Sequence, residues 1–421
     1  MQRTLTLAFV LAVVLGTALR LWLGRRQSQA VQAHRAQVPE PFTGQVTLAE
    51  HQKAADYTSA RVRLGSLEIV LDALIVLALT LGGVIARLDA AWRGLGLGEL
   101  ALGTAVVASV LLLTALIGLP FSLWRTFRLE AAFGFNRTTL SLYVTDRFKG
   151  LALALIIGGP LLVGALALMR WGGRWWWVAL WIVWLAVSVT LAWAWPAFIA
   201  PLFNRFSPLT DPHLKAGIEA LVERCGFTSK GVFVVDGSRR SAHGNAYFTG
   251  VGRNKRIVFF DTLLEHLEPP EIEAVLAHEL GHFHLKHVRA RLAVSAAAAL
   301  IGLAILAYLA RRPWFYAGLG IPVPSAHAAL MLFVIATPAF TYFLTPLGAA
   351  WSRRHERAAD DFAAQRASAA KLAAALVKLY RDNSTTLTPD PIHSAFYDSH
   401  PPALSRIARL RALAASAVAI G

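Results

Sequence analysis

The sequence predicts a mainly α-helical membrane protein with seven transmembrane helices and a small α+β domain. Hydrophobic residues make up 56% of the 421 positions and charged residues only 16%, whereas about a quarter of the residues in a soluble domain are charged. Seven apolar runs are long enough to cross a bilayer, which takes a helix of roughly 20 residues. They lie near residues 5–23, 67–86, 100–119, 151–169, 175–199, 292–310 and 326–349.

The first apolar run has two possible interpretations. Arg3 precedes it and small residues lie within it, as in a secretory signal peptide. However, Arg20, Arg25 and Arg26 near and after its end outnumber the single arginine before it. This charge distribution favours an uncleaved helix whose N-terminus lies outside the cell.

The distribution of basic residues predicts the orientation of the helices. Lysine and arginine are concentrated in the connections after the first and third runs, while the even-numbered connections contain only two arginines each. The positive-inside rule then places the odd-numbered connections and the C-terminus in the cytoplasm. The net charge of +16 is explained by these connections. The sequence shows no basic patch interleaved with aromatic residues, so it does not predict nucleic-acid binding.

The polar segments predict where a catalytic domain lies. We expect an N-terminal membrane region of five helices (1–199), a cytoplasmic domain (200–291), helices six and seven (292–349), and a C-terminal cytoplasmic part (350–421). The cytoplasmic domain is predicted to contain three strands, with turns at Asp236–Gly237 and Gly250–Gly252. A helix follows from about Pro270. The single cysteine, Cys225, excludes an internal disulfide.

A histidine-rich stretch, "AVLAHELGHFHLKH" at residues 274–287, predicts a metal centre. His278 and His282 are four residues apart and project from one face of a helix, with Glu279 beside them. This HExxH pattern is typical of zinc sites in which two imidazoles bind the metal and the glutamate is the general base. At about 3.6 residues per turn, His284 and His287 point away from that face, so we interpret them as ordinary polar residues at a helix end.

Such a site needs a third protein ligand. The glycine and histidine of a metzincin are missing, and no Asp or Glu occurs from Phe283 through His355. The first carboxylate afterwards is Glu356, in "SRRHERAADDFA", which we predict to be the third ligand. Asp360 lies one turn later on the same face, where it can accept a hydrogen bond from a histidine ligand, while Asp361 points elsewhere. The alternative is a solvated helix that pairs with its own arginines.

Four blocks resemble the zinc-dependent CAAX prenyl protease 1 family, membrane metalloendopeptidases related to the yeast a-factor-converting enzyme. They are "RRSAHGNAYFTGVGRNKRIVFFDTLLE", "HELGHF", "RRHERAADDFA" and "SHPPALSRI", and their order relative to the seven apolar runs also matches. The resemblance implies seven helices around a water-filled chamber and a small gluzincin-like domain with one zinc ion. It assigns the zinc ligands to His278, His282 and Glu356 and the base to Glu279, in agreement with the spacing.

The resemblance also implies residues that spacing alone does not identify. His400 contacts the substrate backbone or the oxyanion, Arg406 supports the site, and Asp360 steadies the histidines. Asn245 and Ala246 align the substrate. Without the resemblance, "HGNAYF" is either the edge strand that a metalloprotease needs beside its metal or a buried strand, and His400 is a loop histidine before two prolines.

The predicted function is an integral-membrane zinc endopeptidase that removes the C-terminal tripeptide from prenylated CAAX proteins. The Ala-, Arg- and Trp-rich composition is typical of bacteria, which predicts the inner membrane with the active site on the cytoplasmic side. Because most bacteria are not expected to farnesylate proteins, we also expect a broader role in membrane-protein quality control. The partners are peptide or protein substrates and the lipid bilayer. The alternatives are a catalytically lapsed scaffold or transporter, and a site-2 type intramembrane protease, which the glutamates shortly before His278 disfavour.

Overall fold

A computed structural model describes residues 1–227, 231–249 and 256–420. In this part of the chain, six helical segments are long and apolar enough to cross a membrane, and a bent helix pair is a seventh if it counts as one span. The predicted mainly helical membrane architecture is therefore confirmed. The segments are Gln2–Ala33, Leu48–Leu79 with Val84–Arg93, Glu99–Glu130, Leu140–Trp171, Gly173–Phe203, His287–Leu309 and Ala326–Arg366.

The first eight helices belong to the membrane region. They are α1 (Gln2–Ala33), α2 (Leu48–Leu79), α3 (Val84–Arg93), α4 (Glu99–Trp124), α5 (Leu140–Leu153), α6 (Gly159–Trp171), α7 (Trp176–Ala194) and α8 (Ala200–Phe203). Short π-helical stretches extend α4, α5 and α7. The stretch after α4, Arg125–Glu130, carries that helix beyond its apolar run.

The second predicted run is not one continuous helix. α2 and α3 are bent by 45° relative to each other, and two glycines lie at the break. Gly83 has a φ of +73°, in the left-handed region that glycine adopts without strain. A Cβ atom on Gly82 would lie 2.8 Å from the Ala78 backbone. Residues 67–86 therefore span a bent helix pair.

A four-stranded sheet follows the membrane region. Its strands are β1 (Phe206–Pro208), β2 (Val232–Val235), β3 (Ala246–Thr249) and β4 (Arg256–Phe260), in the order β1–β2–β4–β3. β2 and β4 are parallel, and the other two pairs are antiparallel. The three predicted strands are present, and a turn follows β2 as expected. The predicted turn at Gly250–Gly252 lies outside the described residues.

The remaining helices build the polar domain and the last spans. They are α9 (Pro212–Arg224), α10 (Asp261–His266), α11 (Pro269–His284), α12 (His287–Leu309), α13 (Pro313–Gly318), α14 (Ala326–Thr341), α15 (Thr345–Arg366), α16 (Ala369–Asp382), α17 (Pro391–Tyr397) and α18 (Ala403–Ile420). Ile257, Phe259, Leu276, Leu280 and Leu372 are at most 1% exposed and belong to one apolar core. The sheet, α11 and α16 therefore share that core.

The start of α11 is fixed by its own sequence. Glu268 caps the helix, and its backbone N–H donates to Glu271 Oε2 at 2.8 Å. Prolines at the first two helical positions suit a helix start, because their missing N–H groups would have no partner there. The helix thus begins at Pro269, one residue before the predicted position.

The helices that carry the predicted metal ligands continue into the membrane region. A three-residue turn, Tyr342–Leu344, joins α14 to α15, so the two form one candidate span. α12 follows α11 after only two residues. The region limits expected at 291–292 and 349–350 fall within α12 and α15. The polar domain is therefore built directly on spanning helices.

Candidate metal centre

Helices α11 and α15 pack against each other at the HExxH sequence. Gly281, between the two predicted histidine ligands, makes this contact close. A Cβ atom on Gly281 would lie 3.2 Å from Ala359 Cα and 3.3 Å from the Ala359 carbonyl oxygen. Because glycine has no side chain, the two backbones can approach to this distance. The approach brings His278 and His282 opposite Glu356.

The three predicted ligands converge on one point. His278 Nε2 lies 3.2 Å from His282 Nε2 and 3.3 Å from Glu356 Oε2, and His282 Nε2 lies 3.3 Å from Glu356 Oε1. A tetrahedral zinc ion with bonds of about 2.0–2.1 Å would separate its ligand atoms by about 3.3–3.4 Å. Two imidazoles and one carboxylate at this spacing fit a zinc ion with a fourth position left for water or substrate.

Asp360 and Arg406 hold the other side of His278. The Asp360 Oδ1 atom lies 2.9 Å from His278 Nδ1, so a proton on Nδ1 leaves Nε2 facing the other ligands. Arg406 donates to both Asp360 oxygens, at 2.9 and 2.7 Å. All three side chains are buried. Pairing the aspartate with the guanidinium offsets the cost of burying each charge.

The neighbours of His278 also change its titration. Burial disfavours the charged imidazole, but hydrogen bonds to Asp360 and Glu356 outweigh this effect and raise the pKa of His278 to about 9. Without a metal, His278 is therefore protonated at neutral pH. Metal binding must displace that proton, because only a neutral imidazole can bind through its nitrogen.

A second contact, which sequence analysis missed, lies behind His282. His287 is buried, and its Nδ1 lies 3.0 Å from His282 Nδ1. Its ring stacks on His355 with centroids 3.9 Å apart. The interpretation of His287 as an ordinary polar residue is therefore wrong. The histidine following a ligand by five residues, "HFHLKH", is the only sequence signal for it.

The error has a physical cause. The projection of His287 away from the site assumed a helix that continues past residue 284. Instead α11 ends at His284, and Lys286 has a φ of +59°. This left-handed residue interrupts the helical path, and His287 contacts His282 instead of pointing away from it. His284 is exposed and packs on Phe362, as a polar residue at a helix end would.

Glu279 and His400 are more exposed than the buried residues of the cluster. Glu279 directly follows His278 on α11 and is partly exposed, whereas the neighbouring Leu280 is fully buried. The His400 Nδ1 atom lies 2.7 Å from Glu356 Oε2, and the His400 side chain is 61% exposed. A cavity of about 460 Å³ opens beside it and is also lined by Arg406. His400 therefore joins the buried cluster to an accessible space.

The predicted substrate strand lies at an edge of the sheet. β3 is the last strand in the sheet order and contacts α11. The Phe260 N–H donates to the Asn245 carbonyl at 3.0 Å, so the next pair, Ala246 with Phe259, is a non-hydrogen-bonded pair. Ala246 therefore directs its N–H and C=O away from β4. The Asn245 side chain accepts from that N–H at 2.8 Å.

The structure thus brings most of the predicted residues together. His278, His282, Glu356, Asp360, Arg406 and His400 form one contiguous cluster. Asn245 and Ala246 lie on or beside the edge strand that packs against the HExxH helix. As expected, Asp361 is separate from the cluster; it pairs with Arg409.

Two family models match consecutive parts of the chain. Residues 27–205 match the model described as "CAAX prenyl protease N-terminal, five membrane helices", and residues 208–414 match the model of peptidase family M48. The chain belongs to peptidase family M48. The resemblance to the CAAX prenyl protease 1 family is confirmed by this result and by the relatives of that name.

The relatives cover most of the chain. A CAAX prenyl protease 1 homolog from Oryza sativa subsp. japonica is 31% identical over 90% of this chain and 92% of its own. CAAX prenyl protease 1 from Saccharomyces cerevisiae is 36% identical over 71% of this chain and 69% of its own. The crystal structure of S. mikatae Ste24p has a TM-score of 0.90 at 28% identity, covering 96% of this chain and 99% of that one.

Family membership and the apolar helices together define the class of enzyme. The protein is a multi-pass integral-membrane metalloendopeptidase that acts on peptide or protein substrates. A lapsed scaffold or transporter is not favoured, because the predicted ligands and the predicted base are all present. A site-2 type protease is disfavoured too, since α11 is not among the candidate spans found in the described residues.

Proposed function

We propose that the enzyme binds one zinc ion per chain through His278, His282 and Glu356 and uses it to hydrolyse peptide bonds. The separations of 3.2–3.3 Å among the ligand atoms carry this proposal. When bound, zinc polarises the scissile carbonyl and lowers the pKa of a coordinated water. Asp360 and Arg406 fix the His278 ring, and His287 fixes the His282 ring.

The remaining residues have distinct roles in this proposal. Glu279 takes the proton of the attacking water and later delivers it to the leaving amine, as a general base and acid. His400 donates to the substrate carbonyl or to the oxyanion that develops from it. Its exposed position next to Glu356 supports this role.

The substrate backbone pairs with the free edge of β3. The outward C=O of Ala246 accepts from a substrate N–H, and Asn245 aligns the chain. An edge strand forms hydrogen bonds with the main chain of the bound peptide. These bonds supply affinity without strong preference for particular side chains. A broad substrate range follows from this mode of recognition.

The relatives named CAAX prenyl protease suggest one class of substrate. We propose that this enzyme removes the C-terminal tripeptide from prenylated CAAX peptides and also cleaves unprenylated hydrophobic peptides more slowly, as part of membrane-protein quality control. A prenyl group adds binding energy of about 0.8 kcal/mol per buried CH₂. It therefore favours one substrate class without changing the chemistry.

The substrate proposal is tested with matched peptides. Purified enzyme is incubated with a farnesylated CAAX peptide and its unprenylated twin, and the released tripeptide is quantified. We expect cleavage of both, with the farnesylated peptide faster. An inert unprenylated peptide would rule out the quality-control role, and equal rates would rule out prenyl selection. His400→Ala should slow both reactions similarly, because it contacts the shared backbone.

We further propose that the active site faces the cytoplasm across a bacterial inner membrane. Basic residues in the connections after the first and third spans support this side. Ser207 and Arg174 are both exposed and lie in segments predicted to face opposite sides. After Cys225 is replaced, an impermeant thiol reagent outside intact cells should label Arg174→Cys and not Ser207→Cys. The reverse pattern would invert the orientation.

A further inference from the structure

A groove outside the metal centre lies between α2 and the end of α4. Its volume is about 570 Å³. It is lined by four residues of α2 between Ala60 and Leu67 and by seven residues between Pro120 and Phe133, at and after the end of α4. Most of the wall is apolar, and its larger side chains are Leu64, Leu67, Phe121, Trp124, Leu129 and Phe133. This volume is typical of a site for a small molecule or a lipid chain.

The groove lies where two spans meet the membrane surface. The apolar run of the second span begins at residue 67, and the run of the third span ends at residue 119. Leu67 is 63% exposed and Trp124 is 59% exposed, so the apolar wall is open. In a membrane protein, an open apolar wall near the membrane surface contacts lipid, and tryptophan is common at the membrane–water interface. An acyl chain can therefore enter the groove from the bilayer.

Two positive charges line the same groove. Arg63 and Arg128 are exposed, and neither forms an ion pair within the described residues. Asp56, one of the nearest carboxylates on the same helix, is already bound by Arg35. The neighbouring Arg125 is different, because it pairs with Glu68. The groove thus presents two guanidinium groups that form no ion pair in the part of the chain that the structure describes.

We propose that the groove binds an anionic glycerophospholipid. One acyl chain lies along the apolar wall, and the phosphate lies between Arg63 and Arg128. Guanidinium groups bind phosphate through paired N–H donors. Basic pockets between transmembrane helices on the cytoplasmic side select anionic headgroups in the same way. A zwitterionic lipid fits less well, because its ammonium group would be repelled by the two arginines.

The groove is separate from the metal centre, but side-chain contacts connect it to the segment that precedes the predicted substrate strand. Leu64 and Leu129 pack in one cluster with Phe135. Phe135 stacks on His243 at 4.3 Å between ring centroids, and His243 precedes Asn245 by two residues. None of the groove residues belongs to the metal cluster, so lipid binding can be measured independently of catalysis.

Native mass spectrometry of the delipidated full-length enzyme tests the proposal. The enzyme is titrated with dioleoyl phosphatidylglycerol, with dioleoyl phosphatidylcholine, and with glycerol phosphate, which has the headgroup charge but no chains. We expect phosphatidylglycerol to bind most tightly and glycerol phosphate not to compete with it. The Arg63→Gln/Arg128→Gln double variant should lose about 25-fold in affinity for phosphatidylglycerol, at about fivefold for each arginine.

Two further variants separate the effect of the arginine charges from the effect of the groove volume. Arg61→Gln is the control, since Arg61 lies over the Tyr57 ring and does not line the groove, and it should bind lipid normally. Ala132→Trp keeps both arginines and fills the groove, so it should lose both lipids. All variants are compared at equal zinc content and thermal stability. Equal binding of the two lipids, an unchanged double variant, or full competition by glycerol phosphate would overturn the proposal.

Discussion

Two groups in this molecule each combine a buried histidine and a buried aspartate with an arginine. In the metal centre, Asp360 lies 2.9 Å from His278 Nδ1 and accepts two hydrogen bonds from Arg406. This group joins α11, α15 and α18. The remaining nitrogen of His278 faces His282 and a second carboxylate.

The second group joins α3 and α14 in the membrane region. Asp89 lies 2.7 Å from His327 Nε2 and accepts hydrogen bonds from Arg93 at 2.7 and 3.3 Å. The other side of the His327 ring packs on Gly103, where a Cβ atom would lie 2.9 Å from Nδ1. The second nitrogen therefore faces helix backbone, and no further ligand approaches it in the described residues.

The comparison shows which feature makes a buried histidine–aspartate pair part of a candidate metal site. Both aspartates fix their histidine, and both arginines compensate the buried carboxylate. Only in the metal centre does the other ring nitrogen converge with further ligands. The group at His327 acts as a connection between helices. Variants in one group can therefore be compared with variants in the other.

Glu279→Gln should have the largest effect on turnover. The amide cannot accept the proton of the attacking water, so we expect a loss of at least about 10²-fold in kcat, the usual contribution of a general base. Zinc content, measured by plasma mass spectrometry, should stay normal. Ser325→Ala, which removes the hydroxyl 3.1 Å from His327 Nε2, should leave kcat unchanged. Loss of zinc together with activity would make Glu279 structural.

Asp360→Asn and Asp89→Asn test the two aspartates directly. Asp360→Asn should weaken zinc binding about 10–100-fold, as expected when the partner of a histidine ligand is removed. Asp89→Asn should leave zinc affinity unchanged and lower the midpoint of thermal unfolding, because it breaks a buried pair. Chelator competition and thermal unfolding provide the two readouts. Equal effects of both variants on zinc affinity would remove the proposed distinction.

His287→Ala should have a smaller effect on the metal. His282 would lose the ring that faces its Nδ1, and we expect zinc to bind about tenfold more weakly, at the lower end of such changes. His284→Ala is the matched control, since His284 is exposed on the same turn, and it should bind zinc normally. A His287→Ala variant with unchanged zinc affinity would mean that the contact at 3.0 Å does not position the ligand.

The raised pKa of His278 gives a pH-dependent signature. Because its folded pKa of about 9 exceeds the usual 6.5, the proton stabilises the metal-free fold below about pH 6.5, and this stabilisation is lost as the pH rises through about 9. Between these values, zinc binding should release about one proton. Calorimetry in buffers of different ionisation enthalpy measures this number. No proton release at pH 8 would contradict the raised pKa.

The sequence predicts the parts of this molecule that depend on periodicity and spacing. The apolar runs indicated the spans because length and hydrophobicity decide membrane insertion. The four-residue spacing of His278 and His282 placed both on one helix face. The absence of Asp and Glu from Phe283 through His355 pointed to Glu356. Run length and histidine spacing are local properties of the sequence, and the third ligand follows from excluding other residues along the chain.

The features that sequence analysis missed depend on tertiary structure or on single backbone angles. β1 is only three residues long and includes Pro208, so its pairing with β2 could not be recognised from the sequence. The role of His287 depends on the φ of Lys286. The group around His327 forms only when α3, α4 and α14 pack together, and none of its residues stands out in the sequence.

Zinc content with and without Glu356 tests the central claim most directly. Purified wild-type enzyme should contain about one zinc ion per chain, and its X-ray absorption fine structure should show nitrogen and oxygen neighbours at about 2.0–2.1 Å without sulfur. Glu356→Ala should lose most of the zinc while Asp361→Ala retains it. Normal zinc content in Glu356→Ala, or a zinc-free wild-type enzyme that still cleaves peptides, would contradict the account.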